Sequence, residues 1–259
     1  MIVDSHQHFW DPATADYPWM TDEVAPLRRR FGPEDLEPLL REHGVAGTVV
    51  VQARSSLDET RTLLAIAAET PFVLGVVGWV DLTGDVGRQL RDLDGNLVGV
   101  RHQVHDEPDP AWLLRNDVQR GLDAVAEAGL VYDLLVRARE LPAAVETARR
   151  HPGARFVLDH VGKAPRSDRD AWADGVRALA ALPNVTCKLS GLFTEADPPG
   201  TVERALRWFG ADRCMFGSDW PVCLLASAYA DAIAIVGEDR DVLAGTAIRT
   251  YGLDADGAG

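Results

Sequence analysis

Short apolar runs rich in Val, Ile and Leu alternate with longer amphipathic segments along the whole chain. The runs at 2–5, 47–52, 72–80, 97–101, 131–136, 155–159, 185–189 and 213–217 read as strands. Their apolar positions are continuous rather than alternating, which is the pattern of parallel strands buried on both faces. Helical periodicity fills the intervals at 33–43, 57–70, 115–128, 141–151, 168–182, 201–209, 224–236 and 239–251, with a short segment at 86–93. The first of these opens on Pro33 and stops at Gly44, and others stop before Pro71, Pro152 and Pro183 or at Gly129 and Gly210, the usual start and stop signals.

Eight strands, each followed by a helix, predict an α/β fold of the (β/α)8 barrel type, for which roughly 250 residues is typical. No linker, repeat or low-complexity stretch divides the 259 residues, so a single domain spanning 1–259 is expected. An open doubly wound sheet is the competing architecture, but no Gly-rich dinucleotide loop follows the first strand. The main excursion is 9–31, between the first strand and the first helix. It carries Trp10, Tyr17, Pro18 and Trp19, and a loop so rich in aromatics is expected to cover something.

Composition narrows the partners. Lys+Arg 26 against Asp+Glu 40 gives a net charge of −14, which argues against nucleic acid and anionic membranes because both need basic patches. The start of the chain has no charged segment leading into an apolar stretch, and no apolar run approaches a membrane span, so a cytoplasmic location is expected. The three cysteines, Cys187, Cys214 and Cys223, lack metal-ligand spacing; Cys187 and Cys214 sit within strands and read as small buried hydrophobes. A homo-oligomer is compatible with this composition.

In such barrels the chemistry sits at the C-terminal ends of the strands. Five of the seven histidines fall there: His6 and His8 at the end of the first strand, His102 and then His105 after the fourth, and His160 after the sixth. His43 and His151 lie in last turns of helices, where the helix dipole favours them without any functional role. Side chains at i and i+2 of a strand share a face, so His6 and His8 project together. Asp219 ends the eighth strand, which in a closed barrel neighbours the first, and should therefore face that pair. Asp81, Asp133 and Asp159 also lie near strand ends, but aspartates there commonly cap helices and bond loop amides. His105 reads as a loop histidine and Lys163 as a solvated loop lysine.

The segments Ile2-Val3-Asp4-Ser5-His6-Gln7-His8-Phe9-Trp10, Gly99-Val100-Arg101-His102, Leu158-Asp159-His160-Val161-Gly162-Lys163, Lys188-Leu189-Ser190-Gly191 and Met215-Phe216-Gly217-Ser218-Asp219-Trp220-Pro221 resemble the amidohydrolase superfamily. More narrowly they are similar to its branch of sugar-acid lactonases, the L-fuconolactonase and L-rhamnonolactonase-like proteins. The match is collinear and reaches the closing Ala247-Ile248-Arg249-Thr250-Tyr251-Gly252. The resemblance implies a distorted barrel with His6, His8, His160 and Asp219 as catalytic and metal-ligating residues. Two features depart from the broader superfamily: Arg101 and His102 stand where a bridging lysine or glutamate would end strand four, and Asp133 where a histidine would end strand five. Both argue against a binuclear centre, leaving one divalent metal, zinc or manganese, or none.

On that reading the chain is a hydrolase that opens a sugar-acid lactone. Asp219 takes a proton from water and returns it to the leaving alkoxide, while His6, His8 and His160 polarise the carbonyl. His102 and Arg101 could hold hydroxyls, the ring oxygen or a product carboxylate, although Arg101 could equally tie a loop to the barrel. Gln52 and Arg54 are candidates for hydroxyl contacts. Lys188, inside strand seven, needs a partner if buried and could reach the mouth. Trp10, Trp19, Trp79 and Trp220 fall near the expected mouth, with barrel packing an equal alternative for Trp79; Trp112, Trp172 and Trp208 lie on helices and read as packing residues. The rival readings are a metal-dependent decarboxylase of aromatic or heteroaromatic acids on the same scaffold, and a non-catalytic carbohydrate-binding barrel.

Overall fold

Strand β1 (Ile2–Gln7) starts an eight-stranded parallel sheet whose spatial order follows the chain: β2 (Val45–Val51), β3 (Val73–Gly78), β4 (Leu97–His102), β5 (Val131–Leu134), β6 (Arg155–Leu158), β7 (Val185–Leu189) and β8 (Cys214–Phe216). The computed structural model describes residues 1–167, 169–194 and 197–254. β8 has only three residues, and the barrel closes beyond it through loop backbone. His8 N–H donates to Trp220 O at 2.7 Å, Asp219 N–H to His6 O at 2.8 Å, and Ser5 Oγ to Phe216 O at 2.5 Å. The expected (β/α)8 architecture is therefore the observed one.

Helices α1 (Pro33–His43), α2 (Leu57–Glu69), α3 (Val86–Arg91), α4 (Asn116–Glu127), α5 (Leu141–Arg150), α6 (Asp170–Ala180), α7 (Pro198–Phe209), α8 (Tyr229–Ala234) and α9 (Thr246–Tyr251) lie in the intervals that the periodicity marks. The local reasons are visible at their ends. Asp35 accepts from the Gly32 N–H ahead of α1, whose stop at Gly44 is left-handed at φ 64°, and Ser56 Oγ accepts from Glu59 N–H at the start of α2. Three expected helices differ. α7 starts earlier than 201 because Asp197 caps Gly200 and Pro198 fits the first turn. The 224–236 segment splits into a 3-10 turn, Val222–Leu225, and α8, where Asp231 accepts from Ala228 N–H. The 239–251 segment opens with a π turn, Asp241–Gly245, ahead of α9. The expected first residue of the 168–182 helix, Asp168, lies outside the described residues.

The floor of the barrel is aliphatic. Val3, Leu74, Val98, Val131 and Met215 pack inside the strands against Ala247, Tyr251 and Leu253, so α9 plugs the end opposite the histidines. Each such fully buried side chain contributes about 1.5–3 kcal/mol. Arg155 Nη1 donates to Thr250 O at 2.9 Å and ties the plug to β6. At the other end the 9–31 excursion folds back over the mouth: Trp10 and Phe31 pair through backbone bonds of 3.1 and 2.9 Å, and Trp10 Nε1 donates to Leu27 O. All three cysteines are free and buried. Among the described residues, no helix is long and apolar enough to cross a membrane.

Candidate functional site

The end of β1 delivers two imidazoles to one point. His6 Nε2 and His8 Nε2 are 3.2 Å apart, and Asp219 Oδ1 lies 3.3 Å from His8 Nε2 and 3.7 Å from His6 Nε2. The partners of the other ring nitrogens fix their roles. His8 Nδ1 lies 2.7 Å from Val51 O, an acceptor, so it carries the proton and leaves Nε2 as a lone pair. Arg101 Nη1 donates to His6 Nε2 at 3.2 Å, which puts the His6 ring proton on Nδ1, facing the Asp159 carboxylate at 3.4 Å. Burial lowers the His6 pKa well below the usual imidazole value, with only partial compensation from Asp159, so the ring is neutral. Burial alone would raise the Asp219 pKa, but the neighbouring His160, His8 and His6 outweigh it and hold the carboxyl below its usual range.

Three acceptor atoms thus crowd together with no proton of their own between them. Around a tetrahedral ion with bonds of about 2.0–2.1 Å, ligand atoms sit about 3.3–3.4 Å apart. Two of the observed spacings, 3.2 and 3.3 Å, lie at that figure and the third, 3.7 Å, is a little longer, so two imidazole nitrogens and a carboxylate oxygen fit one divalent cation. His160 enters a different grouping, with His6 and Asp159. Its Nδ1 lies 2.8 Å from Ser190 Oγ, which leaves Nε2 for the cavity. Burial lowers its pKa to about 4.

The backbone is bent to present these groups. His160 and Asp219 hold left-handed conformations, at φ 54° and 58°, just after β6 and β8. Such positions cost on the order of 1–3 kcal/mol and persist only where their surroundings enforce them. Asp4 does this for Asp219: its carboxylate takes the Ser218 N–H at 2.8 Å, the Ser218 hydroxyl at 2.6 Å and the Tyr229 hydroxyl at 3.0 Å. Burial pushes the Asp4 carboxyl up to about 6 despite these bonds. Space is also limiting, since a Cβ on Gly191 would stand 2.6 Å from His160 Nδ1 and one on Gly217 would stand 2.7 Å from His6 Cβ.

Above the cluster opens a cavity of ≈ 170 Å³, lined by His8, His160, Asp219 and Arg101 together with Trp10 and Trp19. Trp19 is fixed by its Nε1 donating to Ala53 O at 2.9 Å and by an edge contact with Trp10 at 5.3 Å. Gln103, His105, Asp106 and Lys163 also line the cavity. The sequence reading set His105 and Lys163 apart as loop residues. The β4 and β6 loops fold inward and bring both to the mouth, which no local pattern signals. Burial drives the His105 pKa down to about 3, assisted by Lys163, so this imidazole is neutral.

Other expected contacts lie elsewhere. His102 has both nitrogens engaged, Nδ1 accepting from Trp79 Nε1 at 2.9 Å and Nε2 at 2.7 Å from Glu107 Oε1, and its ring stacks on Trp112 at 4.2 Å. Trp79 is therefore a packing partner of His102 and is not part of the cavity wall. Trp220 is 1% exposed and packs between Phe9 and Phe31, beneath the excursion. Arg54 reaches Asp16 O and Ser56 Oγ and lines neighbouring grooves instead. Gln52 holds Arg101: its Nε2 donates to Arg101 O, and its Oε1 and backbone carbonyl accept from Arg101 Nη2. Arg101 bonds Asp159 at 2.9 Å and also lines the cavity. Lys188 does not reach the mouth. It is fully buried, 2.5 Å from Asp133 and 3.2 Å from Asp159, which supplies the partner its burial requires. Asp159 is the central acid of this cluster and not a helix cap, a role its sequence position does not signal because its partners come from three other strands.

Residues 3–253 match the amidohydrolase family profile. An L-fucono-1,5-lactonase of Burkholderia ambifaria is 43% identical over 241 residues, covering 88% of this chain and 83% of the relative. An L-fucono-1,5-lactonase of Burkholderia multivorans is 39% identical over 283 residues, covering 97% and 96%. The crystal structure of a zinc-bound amidohydrolase from Burkholderia multivorans superposes with a TM-score of 0.93 at 38% identity, covering 98% of this chain and 100% of that one. With its barrel, its strand-end histidines and a match over nearly its whole length, the chain belongs to the amidohydrolase family.

Proposed function

We propose that this protein hydrolyses a sugar-acid lactone, with L-fucono-1,5-lactone or a close aldonolactone as substrate. The observation that carries the proposal is the convergence of His6 Nε2, His8 Nε2 and Asp219 Oδ1 at the wall of a small aromatic-lined cavity, in a chain similar to two L-fucono-1,5-lactonases. His6, His8 and Asp219 would hold one divalent cation, zinc or manganese, which when bound supplies a positive charge that polarises the lactone carbonyl.

The remaining chemistry belongs to the side chains. Asp219, ionised and committed to the histidines through Oδ1, keeps Oδ2 to accept a proton as water attacks the carbonyl carbon. The carbon–ring-oxygen bond then breaks, and the same proton passes to the departing alkoxide, giving the open hydroxy acid. In the tautomer that serves this step, Ser190 Oγ donates to His160 Nδ1 across 2.8 Å and the ring proton sits on Nε2, which donates to the oxyanion. The sugar ring lies against Trp10 and Trp19, its hydroxyls meet Gln103, His105 and Asp106, and Arg101 with Lys163 faces the product carboxylate.

A pH-indicator assay over a panel of aldonolactones, run before and after chelation, tests the reading beside a carbon dioxide assay on aromatic acids. Turnover of six-carbon lactones with no carbon dioxide release is the expected result. Release of carbon dioxide would transfer the chain to the decarboxylase reading, and tight lactone binding without turnover would make it a carbohydrate binder.

A further inference from the structure

The C-terminal plug reaches the functional cluster through the inside of the barrel. Tyr251, on α9 at the floor, donates its hydroxyl to Asp133 Oδ1 at 2.8 Å and lies 2.9 Å from Oδ2. Asp133 Oδ2 is 2.5 Å from Lys188 Nζ, and that ammonium is 3.2 Å from Asp159 Oδ1. The same Asp159 oxygen stands 3.4 Å from His6 Nδ1, while Oδ2 takes Arg101 Nη1 at 2.9 Å. Every member of this line is nine-tenths buried or more. Six elements contribute, α9, β5, β7, the end of β6, β1 and β4, so no local segment can set its geometry alone.

Asp159 has two carboxylate oxygens and three cationic or N–H neighbours: Lys188, Arg101 and His6. Its position therefore depends on where Lys188 stands. Lys188 carries a long flexible stem, and within a dry interior its ammonium is located by its two carboxylates. Asp133 is held in turn by the Tyr251 hydroxyl, and burial raises its pKa to about 6 against the opposing pull of Lys188. A phenol that donates to the carboxylate favours the ionised form that Lys188 needs.

We infer that Tyr251, Asp133 and Lys188 are positioning residues for His6: a buried polar line that sets, from the far end of the barrel, the tautomer and orientation of a residue in the site. The chemistry assigned to His6 rests on the function proposed above, whereas the line itself is a matter of geometry. Carboxylates that orient a ligating histidine are worth about 10–100-fold in metal affinity or activity. Tyr251 acts through two further groups, so its hydroxyl is expected to count for the lower end of that range.

The test uses the full chain with Tyr251→Phe, Asp133→Asn and, as a control for loosened packing, Leu253→Ala in the same plug. Three quantities are read on folded protein well below its unfolding temperature: kcat and KM on the aldonolactone that the wild type turns over best, zinc affinity by chelator competition, and the ring-nitrogen NMR signals of His6. Tyr251→Phe should lower kcat about 10-fold with KM within about twofold, weaken zinc by a similar factor and move the His6 signals; Asp133→Asn should do more of each. Leu253→Ala should lower stability and leave all three near wild type. Unchanged His6 signals in Tyr251→Phe, or a Leu253→Ala variant that reproduces its losses, would overturn the inference. Absence of lactone turnover in the wild type would instead remove the proposed function, with zinc affinity and the His6 signals still reporting on the line.

Discussion

The two ends of the barrel interior are made of opposite materials. At the floor, Val3, Leu74, Val98, Val131 and Met215 meet the plug side chains, and shape alone decides whether they fit. Toward the mouth, the equivalent space holds Asp133, Lys188, Asp159, Arg101, His6 and Gln52, all nine-tenths buried or more, and only pairing decides. An aliphatic layer tolerates a change of shape that conserves volume, whereas a buried ionic layer fails when one member is lost, because its partner then remains charged without compensation. The stable end and the chemical end of the molecule should therefore answer differently to substitutions of the same size.

The sharpest break in that comparison is Asp219→Asn, which keeps the volume and removes the base. Lactone turnover should fall about 10³-fold or more while far-UV circular dichroism keeps the barrel signal. Near-normal turnover would remove Asp219 from the mechanism. Lys188→Met comes next. It replaces a cation by a chain of similar length, leaving Asp133 with no cation and Asp159 with Arg101 alone, so denaturant unfolding should show a loss of about 3–5 kcal/mol. At the floor, Met215→Leu is the matching change, and it should cost less than about 1.5 kcal/mol with turnover unchanged. Equal costs for these two would erase the distinction between the layers.

A pH-dependent effect belongs to Glu59, a buried carboxyl near the rim of the mouth. It accepts from the Ala53 and Arg54 amides through one oxygen, and burial pushes its pKa up to about 7 against those bonds. Its ordinary value is 4.5, so between about pH 4.5 and 7 the folded protein holds this proton more tightly than the unfolded chain. The group therefore subtracts stability as pH rises through that window. Glu59→Gln removes the titration and can still accept both amides, so its stability relative to the wild type should grow from pH 5 to pH 8. A difference that stays flat across that range would show that the carboxyl ionises normally.

Much of this architecture is readable along the chain because parallel strands buried on both faces give unbroken apolar runs, and because α1 and α2 carry their own caps. The His6–His8 pair and Asp219 are readable for a related reason: an i, i+2 spacing at a strand end is local, and the eighth strand of a barrel must meet the first. The Asp133–Lys188–Asp159 line is not readable in that way. Its Asp133–Lys188 contact reaches from β5 to β7 past the strand between them, and the residue letters carry no trace of that. Trp220 shows the same limit: its place at a strand end suggested the mouth, but Phe9 and Phe31 enclose it once the excursion folds over. His105 and Lys163 reach the cavity on irregular loops, where neither periodicity nor spacing reports direction.

The seam between β1 and the segment after β8 has a consequence in time. Ser5 and Phe216, which close it, are 211 residues apart, and Asp4 and Ser218 are 214 apart. At synthesis rates of about 5–20 residues per second, the two histidines leave the ribosome roughly 10–40 s before Asp219 does. Throughout that interval β1 has a neighbour on one edge only, and the site has no base. Long-range pairing of this kind is slow to form because loop entropy must be lost before any contact repays it. Catalysis in this molecule is accordingly a property of the finished chain: a partial product, however well its first strands have formed, holds the imidazoles and cannot use them.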